Sequence, residues 1–194
     1  QLLTKGHDFD HLSLVGVLDA DQGLYSSDFR STENLFQQLV QVAGRAGRRD
    51  KQGRVLVQTR FTDHPLFEFV VTQDYQGFAN AELEMRQQLG LPPFGYLAMF
   101  RAESTHDARA MQFLRALKTQ LPVFDGVRVM DAVAAPMAKR AGRYRAQLLI
   151  QAQSRGALHT CLMSFIERLE RHEGMRKLAG SVRWSLDVDP QDLY

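Results

Sequence analysis

Cysteine is almost absent from the chain: 194 residues contain one, Cys161. A disulfide framework and a cysteine-rich zinc site within these residues are therefore excluded. Long apolar runs are missing too, and no stretch approaches the roughly 18 residues that cross a membrane as a helix. The opening, Gln1-Leu2-Leu3-Thr4-Lys5, has neither the apolar core of a signal peptide nor an initiator Met. The chain is therefore expected to begin inside a longer protein. Neither sign of charge dominates. There are 24 Lys and Arg against 22 Asp and Glu, a net +2, which does not by itself announce a nucleic-acid binder. Internal repeats and low-complexity segments are also lacking. The rest is ordinary for a globular protein, with 44% hydrophobic and 24% charged residues. The length suits one large domain or two small ones and is enough for a real core.

Charge becomes informative once the chain is divided. Residues 1–75 carry eight Lys/Arg and ten Asp/Glu, a net of −2, and residues 76–194 carry sixteen and twelve, a net of +4. Basic residues cluster in both parts, at Arg45 to Arg54 and at Lys139-Arg140-Ala141-Gly142-Arg143-Tyr144-Arg145. A Gly-containing basic turn with an embedded Tyr points to phosphate contact, against the plainer alternative of a solvated hairpin.

The first part reads as a βαβ unit. Leu12 to Leu18 is a continuous apolar run, which predicts a buried strand of a parallel sheet. Ser31 or Thr32 is expected to cap a helix from about Ser31 to Ala43 that ends at Gly44, with Leu35, Leu39 and Val42 on its apolar face. Arg54 to Thr59 alternates and predicts the second strand. Ligands of such sheets bind beyond the carboxyl ends of the strands. Pro65 opens a further helix, expected over about Leu66 to Leu89, and Leu91-Pro92-Pro93-Phe94-Gly95 is the strongest domain-boundary signal.

The second part reads β-α-β-β-α-β, a split βαβ or ferredoxin-like order. Its predicted strands are Tyr96 to Glu103, Val127 to Ala135 closed by Pro136, Arg143 to Gln151, and Val182 to Val188. The basic turn 136–143 links the middle two. Ala110, Leu114, Leu117 and Leu121 mark one amphipathic helix, and Ser154 is expected to cap another. Trp184 is assigned to the core by its alternation, and Cys161 to a packed position beside an apolar stripe.

The segment Gln41-Val42-Ala43-Gly44-Arg45-Ala46-Gly47-Arg48 carries the chemistry. Its glycines allow close backbone approach to a ligand. Arg45 and Arg48 are three apart, so two guanidiniums can converge on one cleft, which suits the spread charge of phosphoryl transfer. A helix C-terminus with favourable cations and a Gly stop is the alternative.

This segment resembles motif VI of second-superfamily helicases, and Thr4-Lys5-Gly6-His7-Asp8-Phe9 resembles the end of motif V. Asp19-x-Asp21, Asp28-Phe29-Arg30, Leu91-Pro92-Pro93-Phe94, the basic run 136–145 and Asp187-Val188-Asp189-Pro190 follow in order. Together they are similar to the C-terminal part of the primosomal replication-restart DNA helicases. The resemblance covers essentially the whole chain.

The resemblance implies an ATP-dependent 3′-5′ DNA helicase that recognises forks, initiates primosome assembly and reloads the replicative helicase. It implies residues 1–91 as the C-terminal portion of a second RecA-like lobe with a connecting helix. Residues 92–194 would then be a ribosomal-protein-like domain for DNA binding and partner docking. The fold class expected is thus α/β followed by α+β. The chain has no Gly-x-x-x-x-Gly-Lys-Ser/Thr loop and no acidic magnesium motif. ATP and Mg²⁺ are expected only in a full-length parent, and zinc only in its upstream region; none is expected on this fragment, which alone should be inactive.

By the same resemblance Gln41, Arg45 and Arg48 would face ATP, with Gly44 and Gly47 alongside and Arg48 as arginine finger. Thr4, Lys5, Gly6 and His7 would couple nucleotide to DNA; His7 could equally be an ordinary loop histidine. Lys139, Arg140, Arg143 and Arg145 are expected on phosphate, and Tyr144 on an exposed base. Arg155 could meet an acidic partner tail such as that of single-stranded DNA-binding protein, or simply be an exposed charge. Other primosome proteins are expected partners, a membrane is not, and the setting expected is the bacterial cytoplasm and nucleoid. A stand-alone nucleic-acid or protein-binding module is the competing reading. A small-molecule enzyme on a ferredoxin-like fold finds no paired carboxylates or ligand-spaced histidines to support it.

Overall fold

The structure, a computed structural model, describes residues 13–46 and 53–193. It divides into two compact units, Gln1–Glu84 and Met85–Tyr194. The Leu91-Pro92-Pro93 stretch lies within the second.

In the first unit β1 (Leu14–Val17) and β2 (Arg54–Val57) pair in parallel, Leu14 opposite Arg54 and Val17 opposite Val57. Between them run α1 (Asp21–Leu24) and α2 (Ser31–Ala43). Then follow α3 (Pro65–Thr72) and α4 (Tyr75–Leu89), the latter continuing into the second unit. The core gathers Leu24, Leu35, Phe36, Leu39, Leu66 and Phe78, with the Phe36 and Phe78 rings stacked 4.0 Å apart.

Three expectations are corrected here. The apolar run of β1 is not buried on both faces: Val15 is 4% exposed, whereas Leu14 and Leu18 are 53% and 78% exposed. A parallel strand is buried on both sides only when elements cover both faces of its sheet, and this sheet has two strands among the described residues. Neither Ser31 nor Thr32 caps α2. Arg30 is the N-cap, and the buried Asp28 carboxylate accepts the Arg30 N–H at 2.9 Å. The helix expected over 66–89 is two helices, because Gln73 takes a left-handed φ of 57° and Asp74 restarts the chain by accepting the Gly77 N–H at 2.8 Å.

α3 begins on His64, whose Nδ1 accepts the Leu66 N–H at 3.2 Å, followed by Pro65 at the first helical position. Burial lowers the His64 pKa below 6.5. The neutral ring is the capping form, so its contribution is complete above the unfolded value and is lost as pH falls through the folded one. Lowering the pH from about 8 to about 5 should therefore reduce the first unit's stability more in the wild type than in His64→Asn, whose cap does not titrate. Parallel denaturation curves for the two would remove the histidine cap.

The second unit is an antiparallel sheet with helices packed on one face. Its elements are β3 (Tyr96–Ser104), α5 (Arg109–Thr119), β4 (Val127–Val129), β5 (Val133–Arg140), β6 (Arg143–Ala152), α6 (Arg155–Arg171), α7 (Glu173–Ala179) and β7 (Arg183–Val188). β6 and β3 are central, β7 lies beyond β3, and β4 and β5 both pair with β6. With β4 and β5 taken as one interrupted strand and the short α7 as an addition after α6, this is the β-α-β-β-α-β order with ferredoxin-like strand neighbours. Ala98, Phe100 and Ala102 of β3, with Ala146, Leu148 and Ile150 of β6, form the core with Phe113, Leu114, Leu117, Leu158 and Phe165 of the helices. Ser154 caps α6, its Oγ accepting the Ala157 N–H at 3.2 Å. Cys161 is packed inside, and burial pushes its thiol up to about 11.

Two details differ from expectation. The strand expected over 127–135 is split at Met130–Ala132 and resumes as β5, which runs through Pro136 to Arg140. Pro136 does not close it because β5 pairs only with β6, across a register shift between Ala134 and Lys139, where a missing N–H is tolerated. Trp184 is 37% exposed and not a core residue. β7 is an edge strand, so the indole packs 6.0 Å from Phe100 on one side and meets solvent on the other.

Candidate functional site

The motif helix comes first. α2 buries Leu35, Phe36, Leu39 and Val42 and leaves Gln41 exposed. Its end is closed by Gly44 N–H to Val40 O at 2.9 Å and Arg45 N–H to Val42 O at 3.1 Å. Gly44 is the C-cap, with φ −66°. A β-carbon built there would lie 3.5 Å from Val40 O, an ordinary contact. Neither its backbone conformation nor packing among the described residues demands a glycine. The Gly-stop explanation, which needs a left-handed residue, is thereby weakened.

Topology places this segment away from the crevice expected at the carboxyl ends of the strands. Those ends are occupied by α1: Ala20 N–H donates to Gln58 O, and the Asp21 carboxylate accepts Thr59 Oγ1 at 2.6 Å and the Arg60 N–H at 3.2 Å. α2 starts beside them, with Leu35 against Gly23, and carries the chain back toward Arg54, the amino end of β2. Thr4, Lys5, Gly6, His7, Gly47 and Arg48 lie outside the described residues.

The basic segment is a hairpin rather than a loop. Lys139 and Arg140 end β5, Arg143 to Arg145 begin β6, and only Ala141 and Gly142 turn, with φ 48° and 76°. Two successive positive φ values match the right-handed twist of the flanking strands. Strand alternation divides the cluster. Lys139 and Tyr144 are opposite each other on one face, and Arg140 and Arg143 on the other, shared with Arg145. Lys139 Nζ lies 4.6 Å over the Tyr144 ring and 3.2 Å from its Oη, so one ring face is already covered. Arg143 Nε is 3.8 Å from Glu103. Arg155 opens α6, exposed, with its guanidinium 5.7 Å from the Tyr96 ring centre.

Residues that sequence reasoning passed over surround Arg145. β6 and β7 place Arg145 and Arg183 on either side of Glu103 of β3, and one row further Gln147 and Ser185 on either side of Arg101. The alternation of these strands was legible, but which residues become neighbours depends on register.

Residues 87–191 match the family model described as the primosomal protein N C-terminal domain. Over the whole chain it is 41% identical to the replication restart protein PriA of Haemophilus influenzae. It is 36% identical to that of Synechocystis and 34% identical to that of Bacillus subtilis, each over 98% of the chain. The chain spans 26%, 22% and 23% of those relatives' lengths. The match lies in their C-terminal region. With its β-α-β-β-α-β unit falling almost wholly inside the matched residues, the chain belongs to the primosomal protein N C-terminal domain family.

Proposed function

We propose that the chain is the C-terminal part of a replication-restart DNA helicase, an ATP-dependent 3′-5′ enzyme that recognises stalled or repaired forks and initiates primosome assembly. The first unit is the last portion of a RecA-like lobe and supplies the arginine side of the ATP site. The second binds DNA. The observation that carries this reading is Gly44: among the described residues there is room for a side chain, yet the position beside Arg45 is bare. A bare backbone flanked by cations suits an approaching polyphosphate. Its place at the amino end of β2 fits a group that reaches a nucleotide held on another lobe.

In that reading Gln41, Arg45 and Arg48 face ATP and its magnesium ion, with Thr4, Lys5, Gly6 and His7 linking nucleotide to DNA. Lys139, Arg140, Arg143, Tyr144 and Arg145 contact the strand. Primosome proteins and single-stranded DNA-binding protein are the partners proposed, in the cytoplasm and nucleoid, with Arg155 available to an acidic tail. Among the described residues no helix is long and apolar enough to cross a membrane.

The hairpin is tested by fluorescence anisotropy with a labelled oligonucleotide over a salt series. Wild-type binding should be weak and salt-sensitive. Lys139→Ala with Arg140→Ala should lower both affinity and the salt slope, by about one unit for each phosphate no longer neutralised. Superimposable titrations would remove the hairpin from the interface.

A further inference from the structure

On the face of the second unit's sheet away from α5 and α6 lies an open groove of about 270 Å³, lined by Arg101, Arg145, Arg183, Glu103, Gln147 and Ala135 among others. Its charges are unequally matched. Arg101 is held by Asp187 at 2.7 Å and by Asp192 at 3.3 Å. Arg183 and Arg143 share Glu103, at 3.5 and 3.8 Å. Four guanidiniums thus stand against three carboxylates, and Arg145 has no acidic partner among the described residues.

A second, independent feature is Gln147. It is 9% exposed, and its Nε2 donates to Leu193 O at 3.1 Å. Its Oε1 is buried and accepts nothing. A buried acceptor left unpaired costs on the order of 1–3 kcal/mol; Gln147 also lines the groove, so a small outward turn of its amide presents Oε1 to a donor on a bound ligand. The opening therefore asks for an anion and a hydrogen-bond donor on the same ligand. The small Ala135 side chain keeps the space open.

We propose that this groove takes one nucleotide of an unpaired DNA strand, its phosphate on Arg145 with Arg183 alongside, and a base-edge N–H donated to Gln147 Oε1. The volume suits one such unit. Arg140, Arg143 and Arg145 share a face and lead from the hairpin tip to the groove, so a phosphate backbone can follow them. The base must be unpaired, because its Watson–Crick donors are otherwise occupied by the partner strand. An acidic side chain would satisfy Arg145 but bring no donor for Gln147. This inference rests on the DNA-binding reading of the hairpin and assigns it a base-accepting subsite.

The test uses the whole chain, a labelled oligothymidylate, and a matched oligomer of abasic deoxyribose phosphate. Thymine carries the N3–H that Gln147 requires. Arg145→Ala should weaken oligothymidylate about tenfold and lower the salt slope by about one. Gln147→Leu should abolish the wild-type preference for oligothymidylate over the abasic strand. Trp184 fluorescence, from the only tryptophan, checks that each variant is folded. If Gln147→Leu is not folded, Arg145→Ala and Arg183→Ala decide by their salt slopes. If the Lys139/Arg140 variant weakens binding while Arg145→Ala does not, the groove is overturned and the hairpin stands. If the wild type binds neither strand, the DNA reading itself fails. An acidic peptide that loses affinity in Arg145→Ala, with oligothymidylate unaffected, would also overturn the nucleotide assignment.

Discussion

Arg48→Ala in the full-length protein is expected to lower DNA-stimulated ATP turnover about a thousandfold and to leave DNA affinity unchanged. A finger that stabilises charge on a transferring phosphoryl group is worth on the order of 10³–10⁵ in rate, so the low end corresponds to about 4 kcal/mol. In the proposed role the contact would be made only in the transition state, so turnover would fall without a matching loss of binding. Arg45→Ala, next to the bare Gly44, is the companion variant. Equal losses of turnover and DNA affinity would mark Arg48 as structural. The control is the present chain alone, which has no phosphate-binding loop and should show no turnover with or without DNA.

Phe100→Ala is expected to cost the second unit about 3–5 kcal/mol. Domains are commonly stable by about 5–15 kcal/mol, so most of that unit's margin would be lost. The ring is fully buried in the central strand β3 and lies 4.8 Å from Phe165 of α6. Its removal leaves a cavity that a central strand, paired on both edges by β6 and β7, cannot close by shifting. The indole of Trp184 is 6.0 Å away, so its fluorescence reports the transition directly. A loss below about 1 kcal/mol would mean that the helices repack over the gap.

Local signals carried much of the architecture. α2 begins and ends where its apolar period and Gly44 indicate. The Ser154 cap, the α5 stripe and the β-α-β-β-α-β order were all legible, because each depends on residues within a few positions of one another. Gln73-Asp74 could have been read as a helix restart, since an Asp three residues before a free N–H is capping chemistry. It was hidden by an apolar pattern that runs through both helices. Pro136 misled for a related reason: proline's missing donor ends a central strand but not one arm of a bulged edge hairpin.

What depends on contacts distant in sequence was not legible. Trp184 alternates like a core residue, yet β7 lies at the sheet's edge and part of the ring stays in water. The run Lys139 to Arg145 looked like one basic cluster, but pairing sends Lys139 and Tyr144 to one face and the arginines to the other. The groove joins Arg101, Arg145, Gln147 and Arg183 from three strands. One residue of register slip would turn any of them to the opposite side. Sequence alone therefore settled the extent of the motif helix, the main strands and helices of the second unit and the family, since propensity and motif spacing are short-range properties of the chain. Tertiary structure alone decided which cations share a face and which buried acceptor is left unpaired, because strand order and register are set by the global burial of side chains.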